Sequence, residues 1–270
     1  NGKYKIVKVL GAGLFGITYK SLAFVQDNGI PNNTQVAIKE FFMHDFSDRT
    51  EDGSIIVNSE SSIIRKYMLK FKQQAYRLLS LNHGNINKVL DVFHENNTCY
   101  VVYEFIDGVT IDDYVKSKGR LSESESLYIT KEIGSALRYI HNKHIVHLDI
   151  KPMNMMINKD HHVYLIDFGL SKQYDKEGEA ETSSSWEMGS KWYSPIDRGN
   201  KRGKMPLSFD IYGLAASLYR MLTGHMPPCG HEILNDGFPS EILQQFNVSP
   251  NTIACIKKGM ALKKQIVTCL

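Results

Sequence analysis

Four short stretches of this chain carry residue types suited to phosphate. His147-Leu-Asp149-Ile-Lys151-Pro-Met-Asn154 sets an acid, a base and an amide close together just after a helical run. Downstream, Val163-Tyr-Leu-Ile-Asp-Phe-Gly169 reads as a strand, Tyr164–Ile166, that delivers Asp167 to a turn released by glycine. A carboxylate there can hold Mg2+ against the β- and γ-phosphates of a nucleotide. Near the start, Gly11-Ala12-Gly13-Leu-Phe-Gly16-Ile-Thr18 offers backbone N–H groups with few side chains in the way, so the loop can close over phosphates. Such glycine spacing more often marks a dinucleotide turn whose last glycine opens a helix. Here Ile17-Thr-Tyr-Lys-Ser-Leu22 continues as an alternating strand, which puts the glycines at a hairpin tip. Lys39 then lies inside the apolar strand Val36-Ala-Ile-Lys39, where an unpaired charge is costly. Val36 and Ile38 share one face, and Ala37 and Lys39 the other. A polyphosphate is the natural partner for Lys39, with Ala37 at an adenine edge. Each stretch alone has a plainer reading: a flexible hairpin, a solvent-facing lysine, a surface turn, an Asx turn. In this order they form a set that can move a phosphoryl group.

The elements that must position these residues divide by character. The N-terminal part reads as strands: Tyr4, Ile6 and Val9 before the glycines, Ile17, Tyr19, Leu22 and Phe24 after them, Gln35–Phe42, Val89–Phe93 and Cys99–Phe105. Residues 25–34 are polar and turn-rich, and a polar insert runs through Asp48–Gly53. Ile64, Met68, Phe71, Ala75, Leu78 and Leu79 recur at helical spacing and predict one amphipathic helix over 61–81. Past Asp107-Gly108 the pattern turns helical. Ser122-Glu-Ser-Glu125 reads as a capping box, opening a helix with Ile129, Ile133, Ala136, Leu137 and Ile140 on one face. Ile211–Leu222 is apolar almost all round, as in a helix buried on every side, and Gly224 and Pro227-Pro228 close it. The domain break falls in a short hinge over 104–109.

Composition narrows the classes. Hydrophobic residues make up 42% and charged residues 23%, which is ordinary for a globular chain of 270 residues in one domain of two lobes. A net charge of +3 is too small to point to nucleic acid, and Lys201-Arg-Gly-Lys204 reads as a solvated loop. Cys99, Cys229, Cys255 and Cys269 show no metal spacing and suit reduced thiols in a cytoplasmic protein. No apolar run is long enough to span a membrane, and Asn1-Gly-Lys-Tyr4 is no signal peptide. The abrupt ends suggest a catalytic piece of something larger.

With Val36–Lys39, the catalytic stretch and Asp167-Phe-Gly169 in this order, the chain resembles the protein kinases over nearly its whole length. It is most similar to the bacterial, eukaryotic-like (Hanks-type) serine/threonine branch, through Gly13-Leu-Phe-Gly-Ile-Thr-Tyr19 and Ala37-Ile-Lys-Glu-Phe-Phe42. The resemblance implies an α+β, bilobal fold: an N-lobe over 1–106, an antiparallel sheet with one helix, and a mainly helical C-lobe over 107–270. It implies ATP with Mg2+ or Mn2+ as cofactors and serine or threonine of a protein as acceptor. Asp149 would take the proton of the substrate hydroxyl. Lys151 matches the serine/threonine-specific branch and would face the transferred phosphate, and Asn154 and Asp167 would bind metal. Gly11, Ala12, Gly13, Gly16 and Thr18 would cover the nucleotide, with Lys39 on its phosphates. Glu104, Phe105 and Ile106 would read adenine, Tyr103 would guard the pocket behind it, and Met156 would form its floor. Asp112 or Asp113 would take the ribose. Leu78, Val89, His147 and Phe168 would stack as a spine joining the lobes, and Asp210 would brace the catalytic loop.

Three positions depart from the family pattern. The helix glutamate that partners the strand lysine should fall at residue 74, by spacing to Leu78, Leu81, His83 and Ile86, and residue 74 is glutamine. Glu60 lies before the periodic helix, and Glu40 points to the opposite sheet face from Lys39. A charge-assisted hydrogen bond contributes roughly 1.5–3 kcal/mol and a neutral one about 0.5–1.5, so Gln74 weakens the pair without abolishing it. The arginine usual between His147 and Asp149 is Leu148, which argues against dependence on an activation-loop phosphate. The segment Gly189-Ser-Lys-Trp-Tyr-Ser-Pro195 ends an activation segment, yet Ile196 stands where a glutamate is expected, with Asp197 one residue late. No arginine follows Arg220 to pair with it. Thr182-Ser-Ser-Ser185, flanked by Glu179 and Glu181, is expected to be a self-phosphorylation site. Two other readings stand beside the enzyme. One is a pseudokinase that holds nucleotide and signals by shape; the other is a small-molecule kinase, which the peptide platform at 189–193 disfavours.

Overall fold

Alternating apolar residues pair the N-terminal strands into one antiparallel sheet. The computed structural model describes residues 2–13, 16–24, 30–51, 53–57, 62–174, 190–196 and 207–261. The chain divides into two compact units, Asn1–Asp107 and Gly108–Leu270.

In the first unit, β1 (Tyr4–Gly13), β2 (Gly16–Ala23) and β3 (Gln35–Phe41) come first. A short hairpin, β4 (Ser47–Arg49) and β5 (Ile55–Val57), precedes α1 (Ser62–Leu79), β6 (Val89–Glu95) and β7 (Thr98–Glu104). The main sheet has the order β1-β2-β3-β7-β6. The polar stretch expected to be an insert is therefore partly the β4–β5 hairpin, whose pairing runs Ser47↔Val57 to Arg49↔Ile55. Asn96 and Asn97 turn β6 into β7 at φ 52° and 58°, the left-handed backbone that a two-residue hairpin requires and that asparagine tolerates. One face of the sheet buries Ala23, Ile30, Val36, Ile38, Tyr100 and Val102. On the other, Phe41 and Met43 pack with Ile64, Tyr67, Met68 and Phe71 of α1. Leu79, expected in that apolar stripe, is exposed, because the helix ends there with Ser80 Oγ donating to the Arg77 carbonyl at 2.7 Å.

In the second unit, β8 (Gly108–Thr110) leads into α2 (Ile111–Lys118), whose cap Thr110 accepts from Asp113 N–H. Then follow α3 (Glu123–Asn142), β9 (Ile145–Val146), a 3-10 turn (Pro152–Asn154), β10 (Met155–Asn158), β11 (Val163–Leu165), β12 (Lys172–Gln173) and α4 (Ser208–Thr223). The shorter α5 (Gly230–Asp236), α6 (Ser240–Gln245) and α7 (Pro250–Gly259) complete it. Half of the expected capping box forms. Ser122 Oγ accepts from Glu125 N–H, but the Glu125 carboxylate turns away to Tyr114 Oη at 2.6 Å and Lys118 Nζ at 3.0 Å, which offer charge and a shorter bond. The α3 stripe is wholly buried as its spacing predicts. The α4 helix is buried nearly all round, with Ile211 the departure at 45% exposure. Its Gly213 admits the catalytic stretch: a Cβ there would meet the Ile150 carbonyl oxygen at 2.6 Å. No helix among the described residues is long and apolar enough to cross a membrane.

Candidate active site

The first unit holds the glycine turn and the strand lysine. Beyond a register shift between Val9 and Gly11, Gly11 pairs with Thr18, Ala12 with Ile17 and Gly13 with Gly16. Gly16 is fixed by proximity: a Cβ would lie 2.2 Å from the Glu40 carbonyl oxygen. In the β2–β3–β7 ladder Lys39 stands opposite Thr18 and Val101, and Ala37 opposite Tyr103. Side chains alternate along a strand, so Thr18, Ala37, Lys39 and Tyr103 share one face, with Val36 and Ile38 buried behind it. Phe41, on the Lys39 face, meets Phe71 of α1 with ring centroids 5.5 Å apart. Gln74 lies half-buried on the next turn of that helix. Glu104 is exposed, its N–H donating to the Lys88 carbonyl at 3.0 Å, and Ile106 is half-buried. Leu78 and Val89 are both buried in this unit. Glu60 lies outside the described residues.

The second unit builds a denser cluster. Asp210, fully buried on the first turn of α4, accepts from His147 N–H at 2.9 Å and Leu148 N–H at 2.8 Å, with His141 Nε2 at 2.8 Å. Those bonds hold Leu148 at φ 67°, a left-handed backbone costly for a γ-branched residue and sustained here by its partners. His147 is buried against Phe168, ring centroids 4.7 Å apart. Burial holds its pKa below the ordinary value, so the neutral ring donates from Nε2 to the Ile166 carbonyl (3.2 Å) and accepts Asp149 N–H at Nδ1 (3.3 Å).

That frame presents Asp149. Lys151 Nζ lies 2.8 Å from Asp149 Oδ2, and Asn154 Nδ2 donates to the same oxygen and to the Asp149 carbonyl, both at 2.8 Å. Ser190, which sequence reasoning placed only in a peptide platform, joins them: it accepts from Lys151 Nζ at 3.0 Å and donates to Asp149 Oδ1 at 3.3 Å. Its bonds to Lys151 and Asp149 join positions 39 and 41 residues apart in sequence, a pairing that no local pattern shows.

Asn154 and Asp167 are brought close by backbone, since Ile166 N–H donates to the Asn154 carbonyl at 2.9 Å. Asp167 is exposed at φ 54°, with Gly169 N–H donating to its Oδ1 at 3.1 Å. Among the described residues no group of three or more His, Cys, Asp or Glu gathers as a metal cage. The Asn154 amide, whose nitrogen is turned to Asp149, and the exposed Asp167 carboxylate are oxygen donors of the kind that fit Mg2+, which takes few protein oxygens and completes its shell with phosphate and water.

The remaining expected contacts separate. Met156 is half-buried between Thr110 and Tyr164 in the small sheet, on the face opposite buried Met155 and Ile157. Asp112 is engaged within the unit by Lys116 Nζ at 2.7 Å and Arg220 Nε at 3.4 Å. Asp113 keeps 62% of its side chain exposed, so of the two expected ribose carboxylates it is the accessible one. Leu148 joins an apolar cluster with Val146, Phe209, Leu170 and Tyr174 where the resemblance led one to expect an arginine. Ile196 packs against Gly230 at the start of α5, an apolar contact at the position of the missing glutamate. Thr182–Ser185, Gly189, Asp197 and Lys201–Lys204 lie outside the described residues.

The profile of the protein kinase domain matches residues 4–258. The chain is 29% identical over 227 residues to the serine/threonine-protein kinase PrkC of Bacillus subtilis, covering 84% of this chain and 31% of that protein. It is 27% identical over 270 residues to the serine/threonine-protein kinase PknA of Nostoc, covering 97% and 44%. It is 27% identical over 225 residues to a probable serine/threonine-protein kinase PknB of Lactococcus lactis, covering 83% and 32%. The chain thus spans under half the length of these curated relatives.

Proposed function

Since this chain belongs to the protein kinase domain family, we propose that it transfers the γ-phosphoryl group of ATP to serine or threonine hydroxyls of protein substrates, its own Thr182–Ser185 included. The observation that carries the reading is the Asp149–Lys151–Asn154–Ser190 cluster. In this reading Asp149 Oδ accepts the proton of the attacking hydroxyl. Asn154 keeps that carboxylate aimed, and Lys151 offsets negative charge on the phosphoryl group as it moves. Lys39 and the glycine turn hold the phosphates. Asn154 and Asp167 are the groups that would hold Mg2+, which when bound neutralises charge on the β- and γ-phosphates. In the first unit Glu104–Ile106 would take adenine, with Ala37 and Tyr103 on the neighbouring strands; in the second, Met156 is the candidate for adenine and Asp113 for ribose.

Gln74 favours a second reading, a nucleotide-binding domain with weak or no transfer. One comparison separates the two: labelled ATP with Mg2+, wild type against Asp149→Asn, on a generic basic protein, with nucleotide binding followed in parallel. The enzyme reading expects wild-type transfer, a loss of ~10²–10⁴ in rate for Asp149→Asn, and retained nucleotide binding, because the base need not touch the nucleotide. Near-normal turnover in the variant removes Asp149 from its role. Nucleotide binding by the wild type without transfer selects the second reading.

A further inference from the structure

The face of β3 opposite Lys39 carries a buried carboxylate that the proposed reaction does not use. Glu40 is 1% exposed. Its Oε2 accepts from Tyr19 Oη at 2.6 Å and from the Arg49 guanidinium at 2.6 Å, and its Oε1 accepts from Tyr100 Oη at 2.8 Å. Tyr19 sits on β2 and Tyr100 on β7, the two strands flanking β3, so one side chain ties the three middle strands of the sheet together. Burial, then the bonds to Glu40, raises the pKa of Tyr19, and burial raises Tyr100 to about 12, so both remain O–H donors. The fourth member comes from outside the sheet. Arg49 ends β4, lies over the Phe42 ring at 5.4 Å and also donates to the Gly53 carbonyl. The hairpin it belongs to is pinned again where Ile55 N–H donates to the Asn96 carbonyl in the β6–β7 turn, at 2.9 Å.

What hangs on Glu40 is the phosphate-facing side of the same strand. Lys39 precedes it on the opposite face. Gly16, which closes the glycine turn, rests directly on the Glu40 carbonyl. Phe41 follows and seats α1 through Phe71. The Phe41 carbonyl accepts from Thr98 Oγ1 at 2.7 Å, a further tie to β7. A shift of β3 at this point would therefore move Lys39, the glycine turn and the α1 seat together.

We propose that Glu40 is a positioning residue for nucleotide phosphates: with Tyr19, Tyr100 and the hairpin's Arg49 it latches β3 so that Lys39 and the Gly11–Gly16 turn are presented in fixed register. Burying a charge is unfavourable unless it is paired and hydrogen-bonded. An apolar residue here would fill the same space without tying neighbouring strands to the hairpin. The proposal rests on the reading of Lys39 and the glycine turn as phosphate ligands, and its test keeps the two apart.

Two quantities are measured in Glu40→Gln, Arg49→Met and Arg49→Lys: affinity for a fluorescent ATP analogue, and amide hydrogen exchange over residues 16–18 and 38–41. Both are read at a temperature where circular dichroism shows each variant folded. We expect Glu40→Gln and Arg49→Met to weaken the analogue by about tenfold, the scale of one lost charge-assisted bond, and to speed exchange at those amides. Arg49→Lys keeps the charge but loses the planar fork, and should fall between them and wild type. A lowered Tm with unchanged affinity and unchanged exchange at 16–18 and 38–41 overturns the proposal, leaving Glu40 a stabilising residue only. If the wild type binds no analogue, the nucleotide reading falls and with it the positioning role, whatever the exchange data show of the latch itself. Should Glu40→Gln not fold, the two Arg49 variants decide, because that side chain is 36% exposed and its loss is tolerable to the core.

Discussion

Each unit has a deeply buried carboxylate beneath its functional residues, Glu40 in the first and Asp210 in the second, and the two solve the cost of burial differently. Glu40 in the sheet is satisfied by side chains: two tyrosine hydroxyls and a guanidinium, drawn from β2, β7 and the β4–β5 hairpin. Asp210 on α4 is satisfied mainly by backbone, the N–H groups of His147 and Leu148, with His141 as the side-chain partner. The difference sets what each can control. Side-chain partners on separate strands cross-link elements that already have their own ladders, so loss of Glu40 loosens a sheet that persists. Backbone partners define the conformation of the loop itself, which has no ladder to fall back on. Asp210 is therefore the more consequential of the two.

The largest expected effect follows. Asp210→Ala orphans two buried N–H groups and His141. An unsatisfied buried donor costs about 1–3 kcal/mol, so the loss of stability should reach ~2–5 kcal/mol. Leu148 would relax from φ 67° and carry Asp149 with it, so phosphoryl transfer should fall by at least the ~10²-fold expected on removing the base. Urea denaturation and single-turnover kinetics measure the two. If Asp210→Ala proves milder than Glu40→Gln in both, the ranking of backbone-held over side-chain-held acid is wrong.

His147 gives a second handle on the same loop, of intermediate size. Its folded pKa lies below the ordinary 6.5, through burial. The unfolded chain therefore binds the proton more readily. This contribution to stability is complete above about pH 6.5 and is lost as pH falls below it, with a slope of at most ~1.4 kcal/mol per pH unit. Protonation would also fill Nδ1, the acceptor of Asp149 N–H. Denaturation midpoints between pH 5 and 7.5 should fall more steeply in wild type than in His147→Phe, which keeps a ring against Phe168. Equal slopes would mean that the ring is not the group that titrates.

The comparison also explains what was legible in the sequence. Apolar periodicity located the sheet, α1, α3 and α4, because each buries one face or all of them. The alternation in Val36-Ala-Ile-Lys39 placed Lys39 and Glu40 on opposite faces correctly. Asp210 was expected as a brace from the resemblance alone, for its partners are backbone groups and leave no trace in residue types. The β4–β5 hairpin was missed because Ser-Asp-Arg carries no strand pattern, and its partner for Glu40 depends on a docking that sequence does not encode locally. Glu125 was assigned to its own cap when Lys118 and Tyr114, on another helix, offered stronger bonds. Ser190 and the Asp112–Arg220 pair are likewise tertiary contacts between distant segments.

The smallest expected effect concerns the segment that follows the loop. In the second unit, Leu148 packs with Val146, Phe209, Leu170 and Tyr174, and β12 pairs with β9 through Lys172↔Val146 and Gln173↔Ile145. The chain leaving Asp167 is thus anchored by apolar contact and strand pairing, at the site where an arginine would otherwise receive a phosphate. A phosphate adds about −1.5 to −2 charge and orders a loop by pairing with arginine, a role Leu148 cannot fill. Replacing Thr182, Ser183, Ser184 and Ser185 with alanine should therefore change the rate by less than about tenfold, roughly 1.4 kcal/mol of barrier. Mass spectrometry of wild type after incubation with ATP and Mg2+ should still find phosphate on this stretch, because Leu148 removes the arginine that would read the phosphate and leaves Asp149, the base that would make it, in place. A loss of two decades in the alanine variant would show that another cation, such as Arg198 or Arg202, reads the phosphate. The loop would then depend on charge in the way the sheet depends on Arg49, and the contrast between the two units would narrow to Asp210 alone.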